Sequence, residues 1–261
     1  RCPSSQKRRC GMRTSETVPE GTQLKATAAD GATFYHVDIN RTASTSVRRA
    51  LAIQDRPRHL TALMQRDLFG EGWENAFTFS VVRNPFHRAV SIYLHRVCWE
   101  SCPFDEWVDR AFVKGTCSPH PRQWYYPMLF RPQIEWLSDV RGTVLVDFIG
   151  FFEHLDVTWE YIRTRAGKGP PKLQRHPAAD YAMPWYAYYE DERTETVIRE
   201  HYRKDFDAFG YPDSLDACIA RASPAYPYAS PPSPPSDMAS WWRVALGSPT
   251  EDGFDFGPAA P

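Results

Sequence analysis

Two rhythms of hydrophobic and polar positions alternate along this chain. Short β-branched and aromatic runs are each followed by a stretch with helical spacing. The first run is Ala32–Ile39, where Phe34, Tyr35, Val37 and Ile39 supply strand character, and a helix is predicted from about Thr45–Ser46 to Ala52. His36 alternates with those strand neighbours and is expected to pack or cap. The second run is 77–82, Phe-Thr-Phe-Ser-Val-Val, which ends at Asn84, a good helix cap, and Pro85, which suits a first helical position. In the helix that follows, Phe86, Val90, Tyr93, Leu94 and Val97 share the face expected to meet the core, with His87, Ser91 and His95 as a polar stripe beside it. A late helix is predicted over about 191–209, with Val197, Ile198, Tyr202, Phe206 and Phe209 on its apolar side. Beyond Asp216 the pattern changes: residues 222–261 hold nine of the 23 prolines and almost no helical period, which predicts an extended tail.

The two strand-to-helix junctions carry the candidate chemistry. At the first, Arg41, Thr42, Ala43, Ser44, Thr45 and Ser46 form a hydroxyl-rich loop with one cation. Amide N–H groups at a helix start lack intrahelical partners, so phosphate or sulfate oxygens can be held there by backbone, hydroxyls and the cation together. Taken alone, the loop reads equally well as a capped helix after a buried strand. A Gly-x-x-x-x-Gly-Lys loop is absent, since no glycine occurs between Gly31 and Gly70, and this disfavours an ordinary ATP site. At the second junction, Arg83 at the strand's carboxyl end and Ser91 two turns along the helix can grip one phosphate from two directions. Open α/β sheets bind ligands at those carboxyl ends.

With both junctions in view the chain resembles the sulfotransferases that use 3′-phosphoadenosine 5′-phosphosulfate (PAPS), in particular the Golgi carbohydrate branch with the heparan and chondroitin enzymes. Asn40–Ser46 resembles that family's 5′-phosphosulfate loop, and Val82–Tyr93 its 3′-phosphate motif, in the same order and at a matching distance. Further similarity runs from Val144 through Gly150 to Leu155, and from Tyr188 to Tyr211, so the resemblance spans about 32–212. It implies an α/β fold with a central parallel sheet flanked by helices in a P-loop-like arrangement, and PAPS as co-substrate. It also implies that Thr42, Ala43, Ser44, Thr45 and Ser46 cradle the phosphosulfate while Arg83 and Ser91 hold the 3′-phosphate. No metal is required by this scheme. The loop cation is Arg41 where the family commonly has lysine, and Ser44 stands where a glycine is common. A guanidinium stays charged and offers a planar fork, but it is a poor proton donor. Two readings follow: an active enzyme with Arg41 as a clamp, or a weakened one that mainly binds a nucleotide or glycan.

Sulfuryl transfer also needs a base for the acceptor hydroxyl. His59, in Arg58-His59-Leu60-Thr61-Ala62, resembles the histidine that supplies it in some glycosaminoglycan 2-O-sulfotransferases, and imidazole can accept an alcohol proton near neutral pH. The alternative is an exposed histidine in a basic loop. His87 and His95 are expected to be polar helix positions rather than catalytic ones, and Glu153 to play a structural hydrogen-bonding role. Lys172 and Arg175 lie in the Gly/Pro-rich loop 167–177, where the family often closes over the nucleotide. Gln133, in a Pro-Gln segment also seen in the family, is a candidate to touch substrate. Trp107, Trp124, Tyr125, Tyr126, Phe130 and Trp136 either stack on an acceptor or form a satellite core.

Composition narrows the picture further. A chain of 261 residues, 42% hydrophobic and 14% aromatic, can build one large domain, expected over 31–216, with an extension at 1–30 and the proline-rich tail at 217–261. Thirty-one basic against 32 acidic residues leave a formal charge of −1, so no global field recruits nucleic acid. Arg48, Arg49, Arg56 and Arg58 form a local basic cluster that either attracts an anionic glycan or coats a helix. The six cysteines lack metal-ligand spacing; Cys98, Cys102 and Cys117, and Cys2 with Cys10, are near enough in sequence for local disulfides. Disulfides would suit a secretory lumen, whereas reduced thiols would suit the cytoplasm. The chain starts at Arg1 and has no run long enough to span a bilayer, so membrane contact is expected only through a removed anchor. The expected partner is a hydroxyl-bearing acceptor, a glycan first, with small-molecule or tyrosine hydroxyls as alternatives. A nucleotide kinase remains the competing enzyme class.

Overall fold

The computed structural model describes residues 34–53, 59–95, 102–116, 126–174 and 183–222. The expected N-terminal extension, the segment beyond 222, Arg56, Arg58, Val97, Trp124, Tyr125, Arg175 and the cysteines other than Cys102 and Cys218 lie outside the described residues.

In chain order the elements are β1 (Phe34–Val37), α1 (Ser44–Ala50), α2 (Ala62–Phe69), α3 (Glu71–Glu74), β2 (Phe77–Val82), α4 (Pro85–Leu94), α5 (Phe104–Val108), α6 (Tyr126–Leu129), α7 (Ile134–Leu137), β3 (Phe148–Phe151), α8 (Leu155–Arg165), α9 (Glu192–His201), α10 (Arg203–Phe209) and α11 (Leu215–Ala222). The three strands form one parallel sheet in the order β1-β2-β3, with Phe34 opposite Phe77 and Phe79 opposite Phe148. Every strand residue is buried, as a parallel sheet covered by helices on both faces requires. The α/β expectation holds. No helix of the described residues is long and apolar enough to cross a membrane.

One core cluster surrounds the sheet and includes Val37, Ile39, Phe79, Phe148, Trp136 and Trp159. A second gathers under α4, where Phe86, Val90, Trp107, Tyr202 and Phe206 meet. Of the middle-segment aromatics, Trp107 and Trp136 serve as core, 1% and 0% exposed, and Phe130 packs half-buried against the second cluster. Helix α8 approaches β3 so closely that a Cβ on Gly150 would lie 2.1 Å from Thr158 Cγ2. Thr158 Oγ1 meanwhile accepts from Phe151 N at 3.0 Å and donates to Phe151 O at 3.1 Å. That contact fixes α8 against β3, which itself pairs with β2.

Two expected boundaries shift. The late helix is broken at Tyr202, whose buried ring the guanidinium of Arg88 faces at 5.6 Å, and α10 starts anew so that Asp205 points inward. Helix α11 runs past Asp216 to Ala222, where Cys218 is 5% exposed and accepts from Asn84 Nδ2 at 3.0 Å.

Candidate active site at the carboxyl edge of the sheet

Strand β1 leaves the sheet at Val37, and Ile39 N donates back to Val37 O at 3.1 Å. The chain then turns through two left-handed residues that are not glycine, Arg41 and Ala43, each at φ 69°. Side chains there cost about 1–2 kcal/mol apiece, so something must hold the turn in place. Thr42 Oγ1 donates to Ile39 O at 2.9 Å, and Arg88 Nε donates to Asn40 O at 3.2 Å. Ala43 ends the turn as the residue before α1, one position earlier than the sequence pattern suggested. Thr42, Ser44 and Ser46 are buried in this wall, whereas Thr45 is exposed.

At β2 the exit is regular. Asn84 Oδ1 accepts from His87 N at 3.2 Å and Pro85 opens α4, as the residue types predicted. Arg83 at this edge is 5% exposed and surrounded by partners. Gln133 takes both of its backbone groups: Arg83 N donates to Oε1 at 2.9 Å and Gln133 Nε2 donates to Arg83 O at 2.8 Å. Asp205 in turn accepts from Gln133 N at 2.8 Å and Ile134 N at 2.9 Å. Burial pushes the Asp205 carboxyl up to about 6, against the pull of Arg88 and of these N–H groups. The Arg83 guanidinium lies 4.0 Å from the Phe152 ring centroid and donates to His87 Nε2. Desolvation, with Arg83 adding its charge, holds the His87 imidazole well below its usual range, so the ring is a neutral acceptor stacked on Trp185 at 5.1 Å.

The two edges are tied to each other. Arg83 Nη1 donates to Arg41 O at 3.1 Å, and Arg41 Nε donates to Ser91 Oγ at 3.1 Å, so each motif supplies a donor to the other. Arg41, Arg83 and Ser91, 42 and 50 residues apart in sequence, thus stand at one place. Desolvation and the Arg41 charge lower His95, one turn beyond Ser91.

His59 reaches the same strand end from the segment before α2. It too has a left-handed backbone, φ 63°, and its Nδ1 lies 3.3 Å from Asp38 O and 4.0 Å from Asp38 Oδ1. Its ring meets the edge of Trp136 at 6.5 Å. On the far side of Asp38, Arg48 Nε lies 3.8 Å from Oδ2, and Arg48 Nη2 donates to Ile53 O at 3.2 Å. Arg48, expected on a basic surface, is therefore turned inward, while Arg49 remains exposed.

The structure thus brings together Arg41, Arg83 and Ser91, with Thr42, Ala43, Ser44, Thr45 and Ser46 following Arg41 along the loop, and places His59 against Asp38 just before that loop. Lys172 lies exposed on the loop after α8, whose Lys168 sits 5.0 Å from the Phe34 ring at the opposite end of β1. Gln133, a candidate for substrate contact, is 0% exposed and holds the backbone of Arg83 instead. Glu153 fills the structural role expected of it: it accepts from Asn84 N at 2.8 Å and Tyr211 OH at 2.9 Å. His36 packs as expected, stacked on Phe79 at 4.9 Å. Asp38 and Asp205 were missed, because nothing in the spacing of a lone aspartate marks which way it points.

A family model described as "Sulfotransferase family" matches residues 27–212, and the chain belongs to that family. No curated protein and no solved structure matches it. Membership makes the chain a transferase of sulfuryl groups, for which a hydroxyl-bearing acceptor is the implied partner.

Proposed function

We propose that this protein transfers a sulfuryl group from PAPS to a hydroxyl of a carbohydrate, in the Golgi or secretory lumen. One observation carries the reading: the cross-bonded Arg41, Arg83 and Ser91, which put two guanidiniums and a hydroxyl at adjacent strand ends of a sulfotransferase-family chain. The residues fit a doubly phosphorylated nucleotide. They are donors to anions, and buried Asn40 Nδ2 has no acceptor among the described residues. The carbohydrate acceptor and the luminal setting rest on the likeness of both motifs to the Golgi carbohydrate branch.

When bound, PAPS supplies a sulfuryl group activated by a phosphate leaving group. Thr42, Ser44, Thr45 and Ser46, with the backbone of Ala43, hold that end, and Arg83 with Ser91 holds the 3′-phosphate. His59 takes the acceptor's proton as its oxygen bonds to sulfur and the sulfur–oxygen bond to phosphate breaks, the electron pair staying on phosphate. Arg41 offsets the charge that develops there. Its guanidinium keeps that charge throughout the physiological range, so the missing lysine removes a proton donor but not the electrostatic stabilisation.

The test is transfer of radiolabelled sulfate from PAPS to desulfated glycosaminoglycans, phenols and tyrosine peptides, alongside calorimetry with 3′-phosphoadenosine 5′-phosphate and with ATP. Label on glycans supports the proposal, and label confined to phenols or peptides would replace the acceptor class. Tight ATP binding with indifference to the desulfated nucleotide would remove it altogether.

A further inference from the structure

We propose that Asp38 is the positioning residue for His59: its carbonyl fixes the imidazole tautomer, and its carboxylate offsets the charge that ring acquires. The chemistry rests on the sulfuryl-transfer reading above; the geometry does not. His59 Nδ1 faces Asp38 O at 3.3 Å, a distance at which an Nδ1–H can donate to the carbonyl. A carbonyl cannot donate, so this contact selects the Nδ1–H form, and the ring's lone pair then lies on Nε2. That is the nitrogen that takes the acceptor's proton.

The carboxylate serves the second half of the event. Its Oδ1 stands 4.0 Å from Nδ1, is buried, and makes no hydrogen bond among the described residues. An aspartate 3% exposed with one oxygen left in this state is costly unless a positive charge stands near it. Arg48 provides one, at 3.8 Å from Oδ2. The imidazolium formed when His59 takes the acceptor's proton would provide another, 4.0 Å from Oδ1. Among the described residues, the loop after β1 brings Asp38 to the ring, α1 brings Arg48 to Asp38, and α7 brings the uncharged edge of Trp136. His59 is held in a left-handed backbone, φ 63°, a conformation that the surrounding structure must stabilise.

The experiment has two readouts. In nitrogen-detected NMR of the full chain near neutral pH, the His59 imidazole, assigned by its loss in His59→Gln, should be protonated at Nδ1. Neutral imidazole in water prefers the other tautomer, so an Nε2–H signal would overturn the pairing. In the transfer assay, Asp38→Asn, which retains the carbonyl and the side-chain shape, should lower kcat by about tenfold or more. Its calorimetric affinity for 3′-phosphoadenosine 5′-phosphate should be kept. Unchanged kcat would overturn the role of the carboxylate. Equal losses of kcat and nucleotide affinity would overturn it as well, by showing that Asp38 acts through Arg48 and α1 as structure. If the wild-type protein transfers sulfate to nothing, the functional reading falls, and the tautomer alone then decides the pairing.

Discussion

The two strand ends that make the site are held by opposite means. At β1 the turn is held in a backbone conformation that its own residues disfavour, with Arg41 and Ala43 both left-handed, and a hydroxyl and two arginines clasping its carbonyls. At β2 the backbone is ordinary and the shape comes from outside: Gln133, Asp205, Glu153 and Cys218 reach in from 50 to 134 residues away. A strained turn suits a place where backbone and small hydroxyls must approach an anion closely. A packed shell suits a long cation that must be aimed. The difference teaches that the first end is sensitive to what it is made of and the second to what surrounds it.

The largest effect should come from Arg83, which binds across both ends and is the proposed grip on the 3′-phosphate. Arg83→Ala removes the 3′-phosphate grip and also the bond to Arg41 O. A charge-assisted hydrogen bond contributes about 1.5–3 kcal/mol, so loss of one or two should weaken 3′-phosphoadenosine 5′-phosphate binding by at least about tenfold in calorimetry. An affinity within a few-fold of wild type would mean that the nucleotide is held elsewhere.

Next comes the shell. Gln133→Leu strands Arg83 N and O and leaves the Asp205 carboxylate with fewer donors, all in a fully buried place. Unpaired buried polar groups cost about 1–3 kcal/mol each, so denaturant unfolding should show a loss of about 2–4 kcal/mol. Nucleotide affinity should fall with it, although Gln133 touches no ligand in the proposed scheme. Stability lost without affinity would show that Arg83 is aimed by its side-chain contacts with His87 and Phe152 rather than by the shell.

How much of this was legible in the sequence follows the same division. The β2 exit could be read directly, because Asn84 and Pro85 are local signals whose meaning does not depend on the rest of the chain. So could the cation and hydroxyls of the β1 loop. The strain could not: Arg41 and Ala43 are ordinary residues in a sequence, and it takes the Thr42 hydroxyl and the arginines on the turn's carbonyls to hold them in the left-handed region. The shell was illegible for another reason. Gln133 reads in the sequence as a substrate contact, since sequence shows that a polar residue is present and not whether it faces inward. Arg48 misled in the same way, its side chain turned to Asp38 instead of to solvent. The late helix was read as continuous because its apolar period survives the break at Tyr202.

Acidification should separate two members of the shell by sign. His87 is held well below its usual range by burial and by Arg83, so the folded protein binds fewer protons there than the unfolded chain. Its contribution to stability is present above the unfolded value, about 6.5, and is lost as pH falls through it toward the folded value. Asp205, raised to about 6 by burial, does the reverse: the folded state holds its proton longer, so this group's contribution falls as pH rises from about 4 to about 6. Melting temperatures from about pH 7 down to about pH 5 should therefore drop less steeply in His87→Phe, which keeps the stack on Trp185, than in the wild type. In Asp205→Asn they should drop more steeply. Equal slopes in all three proteins would mean that neither group is the buried partner described above.

The smallest effect is also the most direct test of strain. Ala43→Gly relieves a left-handed alanine at the β1 end; the gain of about 1–2 kcal/mol is partly offset by about 0.4–1 kcal/mol of extra freedom in the unfolded chain. The net should be a stabilisation of up to about 1 kcal/mol. The same exchange at the other end, Ala89→Gly in the buried interior of α4, has no strain to relieve and should destabilise by about 1 kcal/mol. Opposite signs for one chemical change would establish that the β1 end is held against its preference and the β2 end with it. If Ala43→Gly destabilises as Ala89→Gly does, the turn is not strained. The clasping of its carbonyls by Arg83 and Arg88 would then be positioning the ligand groups rather than holding the backbone.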